Sequence, residues 1–144
     1  MSKFSIFSEG DAEWQSGHEI MSPEFHGEFS KEELDGLRRI QQPGSDDELQ
    51  LFEIRVQPNV TAAAHAHAED EIIYVVSGEL TFGSQVLKAG CSVYIPGMSL
   101  YSFRSGPEGT HFLNFRGKQD LTYFRKSEFL KMRKSEGKLE ASAP

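Results

Sequence analysis

The chain has 144 residues, a net charge of −7 and one cysteine, Cys91. This length suits one domain with its own hydrophobic core, and a single cysteine excludes an intrachain disulfide. The negative charge argues against nucleic acid as a partner. The N-terminus lacks the apolar core of a signal peptide, and no apolar run approaches the roughly 20 residues that cross a membrane. We therefore expect a soluble cytoplasmic protein.

Residues 1–47 are predicted to form an N-terminal arm followed by a short helix or a loop. The arm is irregular and rich in aromatic residues, which suits a segment that lies against a barrel or a partner subunit. It contains His18 and His26. A lone histidine is more often a surface or hydrogen-bonded residue than a site residue, so both are interpreted in that way.

A short helix is the favoured prediction for the end of the arm. Ser30 and Glu33 have the spacing of a capping box. Leu34, Leu37 and Ile40 give a short apolar stripe at helical spacing. A loop is the alternative.

Residues 48–117 show short strands separated by Gly and Pro turns, which is typical of an all-β barrel or sandwich. Turns are predicted at Ser77–Gly78 and Gly83–Ser84, and a loop at 105–109. The predicted strands span residues 48–57, 60–67, 71–77, 79–82, 85–88, 91–95, 100–104 and 110–116. The strand at 71–77 is apolar on both faces, so we expect the arm or a second subunit to cover its outer face.

Residues 118–144 are predicted to be a basic, helical C-terminal tail. Asp120 is the candidate N-cap of its helix. The basic residues are interpreted as a solvated helix face, with an acidic partner as the alternative.

The stretch from His65 to Gly78, HAHAEDEIIYVVSG, carries the main functional signal. His65 and His67 are two residues apart, so on a strand both rings lie on one face. Glu71 follows four residues later. Two imidazoles and a carboxylate suit a divalent transition metal such as Fe, Zn, Ni or Mn, with positions left open for water or substrate. The alternative is a surface turn that happens to be rich in histidine and acidic residues.

These residues resemble the first motif of the cupin superfamily. That motif has Gly, five residues, His-x-His, three or four residues, Glu, six residues and Gly. His65, His67, Glu71 and Gly78 stand at those spacings. Asn59 occupies the opening Gly position, which a turn with positive φ tolerates.

The second cupin motif is matched only in part. Gly90 and Pro96 agree with its pattern of Gly, five residues and Pro-x-Gly. Met98 stands where the next Gly is expected, Tyr101 where the fourth ligand, a histidine, is expected, and Ser105 where an Asn is expected. The resemblance covers about residues 48–117 and implies a jelly-roll β-barrel whose metal site lacks one usual ligand.

Three roles remain open for Tyr101: a tyrosinate ligand, a catalytic donor of a proton or hydrogen bond to substrate, or a residue that only fills the barrel mouth. His111 is the other candidate for the fourth ligand. Arg55, Arg104 and Arg116 are candidate clamps for a substrate carboxylate.

The resemblance implies a small metal-binding cupin, and we expect a metal-dependent enzyme acting on a small organic substrate, with a dioxygenase ahead of an isomerase or lyase. The alternative is a non-catalytic cupin that binds a small ligand as a module or sensor, because the fourth ligand is missing. A homodimer is expected with either function.

Overall fold

The computed structural model describes residues 3–142, and the side chains of residues 3–136. In this part of the chain the strands are β1 (Gln15–Ser16), β2 (Leu37–Gln42), β3 (Gln50–Val56), β4 (His65–Ala66), β5 (Glu71–Phe82), β6 (Gln85–Lys88), β7 (Ser92–Ile95), β8 (Arg104–Arg116) and β9 (Phe124–Arg125). The helices are α1 (Gly17–Ile20), α2 (Lys31–Leu34) and α3 (Lys126–Ser142), with a 3-10 helix at Pro23–Glu28.

The strands form two antiparallel walls that enclose a jelly-roll β-barrel, as predicted. The larger sheet has the order β1-β2-β3-β8-β5-β6, with β7 also paired to β5. The second wall is built by residues 59–67 running antiparallel to residues 98–106, with β9 paired to β4. In this ladder the Ala62 N–H donates to the Phe103 carbonyl over 2.8 Å.

The hydrophobic core lies between these walls. Its buried members are Ile73, Val75, Leu80, Ile95 and Phe112. Each such side chain contributes about 1.5–3 kcal/mol by leaving water. The inward positions of β5 follow the two-residue alternation of a strand, and they keep Glu71 on the same inward face as Ile73.

The turn predicted at Ser77–Gly78 is wrong, because β5 runs through it to Phe82 as one strand of 12 residues. The register against β8 shifts on both sides of Gly78, and Gly78 has φ +76°. A Cβ at this position would lie 2.2 Å from the carbonyl oxygen of Gly109. Gly78 therefore marks a bulge that bends β5 rather than a chain reversal.

The loop predicted at 105–109 is also wrong, since these residues lie within β8. The hairpin at Gly83–Ser84 is confirmed, with Phe82 paired to Gln85. Glycines occur in both regions, but within β8 they allow close packing: a Cβ on Gly109 would meet the Val56 carbonyl of β3, and one on Gly106 would meet the Glu79 side chain of β5.

The capping box at Ser30 and Glu33 is confirmed. The Glu33 N–H donates to Ser30 Oγ, and the Ser30 N–H donates to Glu33 Oε1, each over 3.1 Å. Helix α2 then ends at Leu34. Leu37 and Ile40 do not continue it, because they belong to β2, which extends the large sheet beside β3.

The N-terminal arm covers the outer face of β2 and β3. Glu9 accepts two hydrogen bonds from the Arg39 guanidinium, and the Trp14 ring lies 4.5 Å from that group. The outer face of β5 is left uncovered, with Ile72 43% and Tyr74 40% exposed. The expectation that the arm covers this face is therefore wrong, and a second subunit stays a prediction.

The C-terminal tail is helical, as predicted, but its helix begins at Lys126. Asp120 does not cap it; its carboxylate accepts the N–H groups of Glu69 and Thr122 instead. Residues 143–144 of the predicted tail lie outside the described residues. None of the helices within residues 3–142 is long and apolar enough to cross a membrane.

Candidate functional site

His65 and His67 lie together at one end of the barrel, and their ring centroids are 5.0 Å apart. Backbone pairing positions His65: its N–H donates to the Tyr101 carbonyl, and the Tyr101 N–H donates back to the His65 carbonyl. The intervening Ala66 is fully buried. This alternation turns both imidazoles toward the same cavity, as the His-x-His spacing predicts.

A backbone carbonyl fixes the tautomer of each imidazole. His65 Nδ1 lies 2.8 Å from the Ala63 oxygen, and His67 Nδ1 lies 2.5 Å from the Thr122 oxygen. A carbonyl can only accept, so each Nδ1 carries the proton and each Nε2 keeps a lone pair. Neither Nε2 has a hydrogen-bond partner among the described side chains, and both rings line the cavity.

Both imidazoles are held in the neutral form. Burial lowers the pKa of His65 to about 4, and the nearby His67 adds to that effect. Burial also lowers the pKa of His67, with a further contribution from the Arg116 guanidinium. Neutral histidine is the form that binds a metal ion.

Glu71 is almost fully buried beside the two rings, and both its oxygens are engaged. Tyr101 donates its hydroxyl proton to Oε1 over 2.5 Å. Asn114 donates to Oε2 over 2.9 Å, and the Arg116 guanidinium lies 3.2 Å from the same oxygen. The carboxylate is therefore compensated by one cation and two neutral donors.

Tyr101 is a protonated hydrogen-bond donor in this structure. Burial raises its pKa well above its ordinary value, and the negative charge of Glu71 raises it further. A tyrosinate at this position is disfavoured for both reasons. The centroid of its ring lies 4.5 Å from the ring centroid of His65. From there its hydroxyl reaches the Glu71 carboxylate at the edge of the site.

The two imidazoles fit a divalent transition metal, since each presents a neutral Nε2 and has its other nitrogen bound to a carbonyl. The carboxylate fits less directly, because Oε1 would have to exchange the Tyr101 hydrogen bond for the metal. Among the described residues, no group of three or more His, Cys, Asp or Glu side chains is arranged to hold a metal. His65, His67 and Glu71 remain the proposed ligands.

The cavity above the site has a volume of about 460 Å³, which is in the range of pockets for small organic molecules. Most of its wall is apolar, including Phe52, Phe103 and Phe112 from the barrel. The arm closes one side with Met21 and Phe29. The cavity is partly open, so a ligand in it would be covered on this side and would reach solvent elsewhere.

Two of the alternatives considered from the sequence lie outside the site. His111 Nε2 is 2.6 Å from Glu53 Oε2, on the side that the arm covers, so it is not the fourth ligand. Arg104 is exposed at the far end of β8. Arg116 is buried in the network around Glu71, and Arg55 lies at the cavity wall with its guanidinium over Trp14.

Several contributors to the site were not identified from the sequence. No sequence spacing relates Asn114 or the Thr122 carbonyl to the first motif. They reach Glu71 and His67 only because the fold brings β8 and the C-terminal tail next to those residues. Tyr123 stacks on His65 with ring centroids 4.6 Å apart. Arg38 lines the cavity from β2, a strand that was predicted as part of a helix or loop.

Comparison with known protein families finds a match over part of the chain. Residues 52–113 match the family profile described as the cupin domain. No curated protein sequence matches the chain significantly.

Solved structures with the same fold include an RmlC-like cupin from Ralstonia eutropha, with 12% identity over 99% of this chain and 92% of that chain (TM-score 0.64). The polyketide cyclase RemF from Streptomyces resistomycificus has 21% identity over 88% and 86%, respectively (TM-score 0.61). An oxalate decarboxylase from Bacillus subtilis, studied for its Mn(II) centres, has 19% identity over 66% of this chain and 29% of that chain (TM-score 0.55).

At these identities the structural likeness shows the fold alone. The barrel, the family match and the two histidines of the first motif agree with one another. The chain has a cupin-like fold, and residues 52–113 match the cupin domain.

Proposed function

We propose that this cupin is a metal-dependent enzyme that acts on a small organic molecule in the barrel cavity. The proposed metal is a single divalent transition ion held by His65, His67 and Glu71. The observation that carries the proposal is the pair of neutral imidazoles whose Nδ1 atoms are bound to carbonyls and whose Nε2 lone pairs face one cavity. The Mn(II) centres of the oxalate decarboxylase lend support.

The chemistry of the donor set favours a dioxygenase over an isomerase or lyase. Two histidines and one carboxylate with open positions are the ligands of non-haem iron oxygenases. When bound, iron would supply dioxygen chemistry, and Zn, Ni or Mn would supply a Lewis acid.

Tyr101 is the proposed catalytic residue. Its raised pKa keeps the proton on the phenol, so it can donate to an oxygen of the substrate. In the structure the hydroxyl donates its hydrogen bond to Glu71 Oε1. Were Glu71 to hold a metal through Oε1, the Tyr101 hydroxyl would be free to donate to an oxygen of the substrate.

The arm and Tyr123 have supporting roles in this proposal. Met21 and Phe29 cover one side of the cavity with apolar surface and reduce contact with water there. Tyr123 stacks on His65 and holds the plane of that ring. The chain would thus orient one ligand ring by a hydrogen bond on its edge and a stack on its face.

A binding module without turnover is the second candidate function. The observation that favours it is the saturated environment of Glu71, whose oxygens are already bound by Tyr101, Asn114 and Arg116. In such a module the carboxylate would be structural, and the cavity would only hold a small ligand. Turnover of any compound that depends on His65 would exclude this function.

The test is elemental analysis of the purified protein after metal supplementation and removal of unbound ions. We expect about one metal per chain in the wild type and none in His65→Ala or His67→Ala, because one imidazole cannot hold the ion. His18→Ala is the matched control, since His18 is exposed and bound to Asp35 outside the cavity. Full metal content in both site variants, or none in the wild type, would contradict the proposal.

We also propose that a second copy of the chain packs on the exposed face of β5. Ile72 pairs with Tyr94 on one side and Phe115 on the other, so these residues form a continuous apolar strip with Tyr74 and Val76. Strips of this kind mark contact surfaces. Sedimentation velocity should give a dimer for the wild type and a monomer for Tyr74→Lys; a monomeric wild type would refute this arrangement.

A cytoplasmic location completes the proposal. Cys91 is free and exposed, which suits a reducing compartment.

A further inference from the structure

Arg38 places a guanidinium at the cavity without a partner for its charge. It lies on β2 with its guanidinium over the Phe52 ring, 5.2 Å from the centroid, and it lines the cavity. Its guanidinium makes no hydrogen bond or ion pair within the part of the chain whose side chains are described. The side chain is partly buried, so solvent compensates its charge only in part.

The next residue on β2, Arg39, is an example of a structural arginine whose charge is paired. Arg39 points to the opposite face, where it is bound to Glu53 over 2.8 Å and to Glu9 through two hydrogen bonds. Arg39 is thus compensated by two carboxylates, whereas Arg38 has none.

The acidic groups of the cavity wall do not compensate Arg38. Glu33 accepts the N–H groups of Ser30 and Ala63 with its two oxygens. Asp120 accepts backbone N–H groups and lies beside Arg116. Burial lowers the pKa of Arg38, and repulsion from Arg116 lowers it further, which is the effect of a cation whose counter-charge is missing.

Phe52 lies between Arg38 and the site that contains the two histidines. The Arg116 guanidinium also lies 5.2 Å from the Phe52 centroid, and Arg116 contacts Glu71. A small molecule bound to Arg38 would therefore lie along Phe52 with its other end toward Glu71 and Tyr101. The walls on this path are apolar and aromatic.

We propose that Arg38 binds the carboxylate of the ligand and that the ligand is a small organic acid with an apolar or aromatic body. A guanidinium matches a carboxylate through two parallel hydrogen bonds. This inference rests on the proposed function in one respect, that the cavity holds a small molecule, and it does not depend on a metal. Arg38, rather than Arg55, Arg104 or Arg116, is the carboxylate clamp.

The experiment is calorimetric titration of the metal-free protein with matched acids and amides: benzoate, phenylacetate and hexanoate against benzamide, phenylacetamide and hexanamide. We expect the wild type to bind at least one acid roughly tenfold or more tightly than its amide, as a charge-assisted hydrogen bond implies. Arg38→Met should lose that preference, and Arg38→Lys should retain part of it. Arg55→Met is the control and should keep it, because that guanidinium lies over Trp14.

Three results would overturn the proposal. The first is a wild type that binds none of the acids or binds acids and amides equally. The second is an Arg38→Met protein that keeps the preference for acids. The third is a wild type that binds inorganic phosphate more tightly than every acid, which would assign the site to another class of anion.

A stability measurement separates binding from structure. Arg38→Met should unfold at a urea concentration close to that of the wild type, because no hydrogen bond or ion pair is lost and the methionine side chain can still pack on Phe52. A loss as large as that of Arg39→Met would show that Arg38 is structural and would refute the proposal. The two proposals can fail separately. If the protein binds acids through Arg38 but binds no metal, the metal site is refuted and this inference stands. If it binds metal but does not prefer acids to amides, this inference is refuted and the metal site stands.

Discussion

Removal of one hydroxyl group at Tyr101 tests the hydrogen-bond network of the site. In Tyr101→Phe the ring can still pack against His65, but Glu71 Oε1 loses its hydrogen bond. Glu71 is 2% exposed, so water does not readily replace that donor. A hydrogen bond to a charged group contributes about 1.5–3 kcal/mol, and we expect the metal-free protein to lose about 2 kcal/mol of unfolding free energy.

Urea unfolding and thermal melting measure this loss. For a domain of this size, about 2 kcal/mol corresponds to a decrease of roughly 4–8 °C in Tm. Tyr123→Phe is the matched control. Tyr123 also packs on His65, but its hydroxyl makes no hydrogen bond with the described residues, so we expect a loss below about 0.5 kcal/mol.

Metal should reduce the difference between the two variants, because a metal bound to Oε1 would replace the donor that Tyr101→Phe removes. Equal stability of Tyr101→Phe and Tyr123→Phe in the metal-free protein would refute the role given to the Tyr101 hydroxyl. A destabilisation of Tyr101→Phe that metal leaves unchanged would instead argue against Glu71 as a ligand.

Three further predictions concern the pH dependence of stability, the backbone and the arm. Burial lowers the pKa of His65 from 6.5 to about 4, so the unfolded state binds more protons in that window. The unfolding free energy of the metal-free protein should fall by up to about 3 kcal/mol as the pH decreases from 6.5 to about 4. Urea unfolding at several pH values should show a smaller pH dependence in His65→Gln. Met98 has φ +56°, so Met98→Gly should raise the unfolding free energy by about 0.5–1 kcal/mol, whereas a decrease would show that its side chain outweighs the backbone strain. Arg39→Met should cost about 3 kcal/mol because it leaves Glu53 buried without its cation, and Arg39→Met with Glu53→Leu should recover part of that loss in the same assay.

The barrel and the match of residues 52–113 to the cupin domain were predictable because the first motif and the strand pattern are local in sequence. His65, His67 and Glu71 fall at fixed spacings in and next to β4 and at the start of β5, and extended alternation places them on inward faces. Asn59 at the opening glycine position has φ +56°, in agreement with the positive φ expected there.

Glycines misled the placement of turns. At Gly78 the sequence cannot distinguish a chain reversal from a bulge, because both need positive φ. The difference lies in the neighbouring strand, where the Gly109 carbonyl lies close to Gly78.

The charged network of the site was not predictable from local patterns. Glu71 meets Asn114 and Arg116 only after β5 and β8 have paired, and Thr122 reaches His67 from the tail. These contacts join residues more than 40 positions apart in the chain, and no spacing rule connects them. The same reason explains why Arg38 was missed.

The most direct test of the metal site is X-ray absorption spectroscopy of the zinc-loaded protein. We predict two imidazole nitrogens at about 2.0–2.1 Å from the metal in the wild type, and one in His65→Ala if that variant retains any zinc. A wild-type spectrum with fewer than two imidazole nitrogens would contradict the assignment of His65 and His67 as the ligands.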